Sequence, residues 1–292
     1  MTLDASLPIL LALGTAATFA TSATLVRFGV ERSTPLVALV VTLTVNILVL
    51  WAGTLLYYDV SLDLWALRYF ILAGVFAPAL GRLCNYIGIQ RVGVNLSVPI
   101  SNSNPVVAVI LAVLVLEESI SSVGLVGILL VIGGGILLST VRGGETRQYK
   151  RTDILYPILG AAFYGGTQIL RDLGLDLVPL PALGAAVNLT TSWLLVCGYL
   201  LFTSSADQLS VRDPSLVYFV PAGIASSIGL VCLYSALQLG QVVIVTPILN
   251  TSPLFALAIT YLVARDGELF TRRVIVGTCC IVGGVSLLSV VT

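Results

Sequence analysis

Long apolar stretches alternate with short polar segments along almost the whole chain. Each stretch is roughly long enough to cross the hydrocarbon core of a bilayer as a helix, which takes about 20 residues. The pattern predicts five spans at 7–26, 36–56, 65–89, 94–116 and 120–139, and five more at 154–170, 182–202, 216–237, 242–263 and 274–290. The sequence therefore predicts an all-α integral membrane protein with ten transmembrane helices.

The two halves of this pattern are copies of one unit. A shift of 148 residues places Pro99 on Pro247 and Asn102 on Asn250. The same shift also matches Tyr86 with Tyr234, Gln90 with Gln238, and Pro105 with Pro253. Because each copy has an odd number of spans and only a short linker joins the copies, the second copy crosses the membrane in the opposite direction. We therefore predict two inverted five-helix repeats.

The boundary between the copies is marked by charge. Residues 142–153, with the sequence RGGETRQYKRTD, form the strongly charged stretch of the chain. A polar, charged segment between two apolar units is typical of a linker. The predicted organisation is a first repeat at 1–141, this linker, and a second repeat at 154–292.

Composition narrows the function classes. Apolar residues make up 58% of the chain and charged residues 10%, whereas soluble domains carry about 25% charge. The formal net charge is zero and basic runs are absent, which argues against nucleic acid as a partner. The absence of histidine excludes a Ser-His-Asp triad and an HExxH metal site. We predict no enzymatic activity, no metal and no cofactor.

The four repeated prolines point to the centre of each half. Pro99, Pro105, Pro247 and Pro253 each remove a backbone donor at membrane depth, so the freed carbonyls must face protein or water rather than lipid. We predict that these prolines break helices four and nine and act as gating elements. The small polar residues beside them have two interpretations, namely contacts between packed helices or the lining of a cavity.

Arg82 is the most informative single residue. It lies well inside the third predicted span, and its counterpart in the second copy is Leu230. An intramembrane cation costs at least ~2.5 kcal/mol unless it is paired or hydrated, and it usually marks a functional site. The alternative is an arginine that extends to the interface or binds the freed carbonyls.

The predicted substrate-binding residues share helical stripes with Arg82 or flank the prolines. They are Arg82, Asn85, Tyr86, Asn102, Gln168, Tyr234, Gln238 and Asn250. Arg171 continues the stripe of Tyr164 and Gln168. Because the sixth span is predicted to end at Leu170, Arg171 counts as a loop residue, and Arg82 is then the basic residue predicted at depth.

Residues 98–139 carry a proline-bearing helix, a glutamate at its end, a short turn and a glycine-rich helix. This pattern resembles the EamA repeat of the drug/metabolite transporter superfamily, and residues 246–289 resemble the companion repeat. The resemblance implies ten helices, a central cavity, and export or exchange of small metabolites. It also implies cytoplasmic termini, whereas the basic residues, concentrated after odd-numbered spans, favour termini outside.

The sequence thus predicts a secondary transporter in the plasma membrane. It would move a small organic metabolite, such as an amino acid, a carboxylate or a nucleotide-sugar-like solute, by alternating access. The partners are the solute and the lipid bilayer, and the sequence does not decide between a monomer and a homodimer. The alternative is a non-transporting structural or lipid-handling membrane protein, whose glycines would serve helix packing alone.

Overall fold

The computed structural model describes residues 3–58, 63–139, 150–202, 214–264 and 272–291. These residues form α-helices with no strand among them. The helices of the first half are α1 (Leu3–Val30), α2 (Pro35–Tyr57), α3 (Arg68–Gly74), α4 (Gly81–Val92), α5 (Val94–Ser101), α6 (Asn104–Val115) and α7 (Ser122–Ser139). Those of the second half are α8 (Leu155–Leu177), α9 (Pro181–Phe202), α10 (Leu216–Leu239), α11 (Val242–Leu249), α12 (Ser252–Ala264) and α13 (Arg272–Val291).

Within the described ranges, seven helical stretches are long and apolar enough to cross a membrane. They are Ser6–Val30, Pro35–Tyr57, Arg68–Val92, Leu96–Val115, Pro181–Leu201, Leu216–Leu239 and Val242–Ile259, and Ser122–Leu138 is a shorter apolar helix. The prediction of an all-α, multi-pass membrane protein is confirmed at this level. The count of ten spans stays a prediction.

Helices four and nine of the predicted set are broken at the matched prolines, as expected. α5 ends at Ser101 and α6 begins at Asn104, while α11 ends at Leu249 and α12 begins at Ser252. Pro105 cannot donate to the Ser101 carbonyl, which instead accepts a hydrogen bond from the Asn104 side-chain amide at 3.1 Å. A local side chain thus replaces the backbone donor that proline lacks.

Glycines let neighbouring helices approach closely. A Cβ on Gly134 of α7 would lie 2.7 Å from the carbonyl oxygen of Gly277, and one on Gly284 of α13 would lie 2.6 Å from that of Gly127. Gly127 thus pairs with Gly284, and Gly134 pairs with Gly277. Because the residue numbers rise along α7 while they fall along α13, these two helices are antiparallel. Close approach through small residues is a common way of packing helices in membranes.

The chain packs α8 antiparallel against α4 in the same way. A Cβ on Gly81 would lie 2.8 Å from the Tyr164 ring, and one on Gly160 would lie 2.6 Å from the Asn85 side-chain oxygen. At the end of this pair the Arg91 guanidinium forms a salt bridge of 2.9 Å with the Asp153 carboxylate. The contacts fix the start of the second half against the end of α4.

Most of the predicted linker, at residues 142–149, lies outside the described residues, so its boundaries stay a prediction. Its last residues form a 3-10 turn at Arg151–Ile154. Asp153 accepts a hydrogen bond from the Lys150 backbone amide at 3.0 Å as well as the Arg91 salt bridge. These contacts hold the pKa of the Asp153 carboxyl below its usual value, with the Arg91 hydrogen bond as the main cause.

Candidate functional site

A cavity of about 490 Å³ lies between helices from both halves of the chain. We call it the central cavity; α1, α2, α4, α8, α9, α10 and α11 border it. Apolar side chains such as Phe19, Leu39 and Leu230 form much of its lining. Its larger polar side chains are Asn46, Arg82, Tyr86, Tyr164, Gln168 and Arg171. Among the described residues that line it, none is an aspartate or a glutamate.

A break in the third predicted span borders this cavity. Between α3 and α4, residues Val75–Leu80 form a π-helical turn with an extended backbone at Ala77. Pro78 leaves the Gly74 carbonyl without its helical donor, and the Ser192 hydroxyl of α9 donates to it at 2.6 Å. The Asn188 side-chain amide donates to the Ala77 carbonyl at 3.2 Å. α9 therefore stabilises the break that leads into Arg82.

Arg82 and Tyr86 lie one helical turn apart on α4 and both face the central cavity. Arg82 is half-buried, and its guanidinium lies against the hydroxyl of Tyr164 from α8. Gly81 makes this contact feasible, because a side chain there would collide with the Tyr164 ring. Arg82 lies inside the helical stretch Arg68–Val92, which is long and apolar enough to cross a membrane, while its role in binding stays a prediction.

Arg171 is a second arginine in the same cavity, and the sequence analysis placed it wrongly. α8 does not end at Leu170 but continues to Leu177, so Arg171 lies inside a helix and is only 7% exposed. Its guanidinium donates to the side-chain oxygens of Gln168 at 3.2 Å and Asn188 at 3.1 Å. The same group lies 5.2 Å from the centre of the Tyr234 ring.

The spacing of Arg171 in the sequence already indicated that it lies on the same helix face as Tyr164 and Gln168. It follows Gln168 by three residues and Tyr164 by seven, so the three side chains share one face of a helix. The hydropathy of the segment instead indicated that the helix ends at Leu170, because Asp172 and Asp176 follow within the next six residues. Helical spacing was here a better guide than the apparent end of the apolar stretch.

A polar contact that the sequence analysis did not identify joins α2 to α10. The hydroxyls of Ser226 and Ser227 donate to the side-chain oxygen of Asn46 at 2.7 and 2.9 Å. Asn46 is 6% exposed and Ser227 is 1% exposed. A lone asparagine in the middle of an apolar span was the available signal, since buried amides need partners.

The predicted binding residues divide into those that line the central cavity and those that do not. Arg82, Tyr86 and Gln168 line it. Asn85 lies beside it and accepts a hydrogen bond from Ser101. Gln238 is exposed and donates to the Pro179 carbonyl at 3.0 Å.

The remaining predicted residues form contacts between packed helices. The Asn250 side-chain amide donates to the Asn102 carbonyl at 3.0 Å, which joins the two helix breaks. Tyr234 is fully buried, with its ring against Arg171 and 5.9 Å from that of Phe70. These three residues are not among those that line the central cavity.

Glu118 joins the two halves at another point. It follows α6, and its carboxylate oxygens accept hydrogen bonds from the backbone amides of Val242 at 2.7 Å and Val243 at 2.8 Å. These amides belong to the first turn of α11, where helical donors lack partners. Burial raises the pKa of the Glu118 carboxyl, and the two backbone hydrogen bonds offset this effect in part.

Comparison with known proteins identifies a family. The EamA-like transporter family matches the chain twice, over residues 6–140 and 151–290. A solved structure titled only "Crystal structure of protein" has a TM-score of 0.77 and 13% sequence identity, with 97% of this chain and 96% of that chain covered. At this identity the likeness shows the fold alone. A comparison with curated proteins finds no match.

Proposed function

Because the chain belongs to the EamA-like transporter family, we propose that it moves a small organic metabolite through the central cavity by alternating access. The solute would be an amino acid, a carboxylate or a nucleotide-sugar-like molecule, and the membrane would be the plasma membrane. The sequence contains no GxxxxGK(S/T) loop for binding ATP, so export, exchange and facilitated diffusion are the proposed modes. The proposal assigns the chain no enzymatic activity.

The central cavity carries the proposal. It has about 490 Å³ of space, within the range of small-molecule sites, and it lies between helices of both halves. Arg82 supplies a positive charge on the lining, while Tyr86 and Gln168 supply groups that hydrogen-bond. Such a mixture of apolar lining and a few polar groups is typical of sites that bind small organic molecules.

The packing supports a pseudo-two-fold relationship between the copies. A shift of 150 residues relates Gly127 to Gly277 and Gly134 to Gly284. The two contacts, Gly127 with Gly284 and Gly134 with Gly277, are therefore exchanged when the two copies are exchanged. Inverted repeats related by such an axis commonly exchange between two states that open to opposite sides. We propose this exchange for the ten predicted spans, with the breaks at Pro99, Pro105, Pro247 and Pro253 as the gating elements.

The test is solute uptake by proteoliposomes that contain the purified protein. Labelled amino acids, carboxylates and nucleotide sugars would be compared with protein-free liposomes. We expect Arg82→Gln to lower uptake of the transported carboxylate about tenfold or more, because a charge-assisted hydrogen bond is worth about 1.5–3 kcal/mol. Arg82→Lys keeps the charge without the planar fork and should be intermediate.

Arg68→Gln is the matched control for these variants. The Arg68 guanidinium packs on the rings of Trp65 and Tyr69, at 4.6 and 4.5 Å from their centres, and it does not line the central cavity. Uptake by this variant should equal that of the wild type. If folded wild-type protein moves none of the solutes, the transport proposal fails, and a structural or lipid-handling role replaces it.

A further inference from the structure

We propose that Arg82 and Arg171 together bind the doubly charged head group of an organic solute, so that the central cavity selects dianions over monoanions. Phosphate monoesters and dicarboxylates share this chemistry. The proposal rests on the transport function proposed above and defines its substrate class. It is carried by the burial and surroundings of Arg171.

Arg171 is buried, and none of the described aspartates and glutamates forms a salt bridge with its guanidinium. Its hydrogen-bond acceptors, Gln168 and Asn188, are neutral, and its Nε has no hydrogen-bond partner. The next residue, Asp172, interacts electrostatically with Asp176 and Glu118. A buried charge is costly unless it is paired, so an anionic ligand would complete this site.

The two arginines converge on one part of the central cavity. The Tyr164 hydroxyl lies against the Arg82 guanidinium and also within electrostatic reach of Arg171. A single head group near Tyr164 would therefore interact with both positive charges. The described residues form one salt bridge, between Arg91 and Asp153, and neither of these residues lines the cavity. Arg82 and Arg171 therefore take no part in it.

The apolar part of the cavity lining indicates the rest of the solute. Phe19, Leu230 and Leu233 present apolar side chains from α1 and α10. A solute with a dianionic head and an apolar body of about one ring would place each part against matching chemistry. Aromatic phosphates and aromatic dicarboxylates have this form and serve as probes.

A purely structural role for Arg171 is the competing explanation. Arg171 orients Asn188, which in turn donates to the Ala77 carbonyl at the helix break. Loss of Arg171 would then lower stability and weaken every ligand alike. The two explanations differ in one observable, the ratio of affinities for ligands of equal shape and different charge.

The experiment measures the binding of phenyl phosphate and phenyl sulfate to purified protein at pH 8, by thermal shift and calorimetry at fixed ionic strength. The two probes have nearly the same shape. Because the second pKa of a phosphate monoester is about 6, phenyl phosphate carries about two negative charges and phenyl sulfate one. We expect phenyl phosphate to bind about tenfold more tightly.

Variants assign this preference to the arginines. Arg171→Gln should reduce the affinity ratio of the two probes to about one, whereas Arg171→Lys should keep a preference for the dianion and Arg68→Gln should leave the ratio unchanged. If Arg171→Gln does not fold, the affinity ratio is measured in Arg82→Gln, which removes the other positive charge near Tyr164 and should also reduce the ratio. Equal binding of both probes to the wild type, or an unchanged ratio in Arg171→Gln, overturns the proposal.

Two further measurements are needed. One compares head groups of different chemistry, and the other distinguishes failure of the dianion site from failure of the transport proposal. Phthalate has two carboxylates, and tight binding of either phthalate or phenyl phosphate supports a dianion site. Selective binding of phenyl phosphate by folded protein that moves none of the labelled solutes overturns transport and leaves the binding site standing. Flux of labelled carboxylates without any preference for dianions overturns the dianion site alone.

Discussion

Replacing Glu118 by alanine removes both acceptors at the N-terminus of α11, and we expect it to shift the protein away from the conformation described above. Each charge-assisted hydrogen bond is worth about 1.5–3 kcal/mol when it is well shielded from water. Glu118 is only half-buried, so we expect about 1–2 kcal/mol for the pair, as for other helix caps. This change corresponds to a shift of roughly 5–30-fold in a two-state equilibrium.

Cysteine labelling measures this shift. Single cysteines are introduced as Val98→Cys or Thr246→Cys into protein without its native cysteines, because these positions occupy equivalent places beside Pro99 and Pro247. If the two helix breaks gate opposite sides, Glu118→Ala should raise the labelling rate at one position and lower it at the other. We expect changes within the roughly 5–30-fold range given above.

Glu117→Ala is the matched control, because it removes the same charge from the same turn. Glu117 is exposed, and it is Glu118 whose oxygens bind the amides of α11. Labelling rates in this variant should equal those of the parent protein. Unchanged rates in Glu118→Ala, or equal changes at both positions, would refute the reasoning that this carboxylate stabilises one state.

The pH dependence of Glu118 provides an independent measurement. Because burial raises the pKa of Glu118 above its ordinary value of about 4.3, the folded protein takes up this proton at a higher pH than the unfolded chain. The contribution of Glu118 to the free energy of unfolding therefore increases as the pH falls through the raised pKa. The melting temperature of the wild type should rise relative to that of Glu118→Gln between neutral pH and about pH 4.5.

Gly134→Ala should lower the unfolding free energy by about 1–3 kcal/mol, because the new Cβ would lie 2.7 Å from the Gly277 carbonyl. Gly133→Ala places its Cβ where nothing lies within 4 Å and should be neutral or stabilising in thermal unfolding. The lowered pKa of Asp153 means that its contribution to stability is present above its ordinary value of about 3.9 and is lost as pH falls below it. Arg91→Gln should therefore flatten the acid limb of a plot of melting temperature against pH; an unchanged acid limb would contradict this assignment.

The sequence predicted the features that depend on local chemistry. The breaks of helices four and nine follow from proline, which cannot donate a backbone hydrogen bond wherever it lies. The apolar stretches predicted membrane-crossing helices for the same reason, since apolar length is a property of the segment itself. Such features need no knowledge of neighbouring helices.

The features that the sequence did not predict depend on contacts between distant segments. α8 continues through Arg171, whose guanidinium donates a hydrogen bond to Asn188, 17 residues later in the chain. Tyr234 and Tyr86 match in the repeat, yet one is fully buried beneath Arg171 and the other is 43% exposed at the central cavity. Helical spacing identifies a face, but only the packed neighbours decide what that face contacts.

Arg82 and Leu230 occupy equivalent positions in the two copies, and both line the central cavity. A complex of two separate, identical five-helix subunits would carry the same residue at both positions, because each substitution in its gene would appear twice. Fusion of the copies into one chain removed that constraint. One copy can then carry the charge while the other carries an apolar residue, and the proposed solute, with two distinct ends, would be held in one orientation.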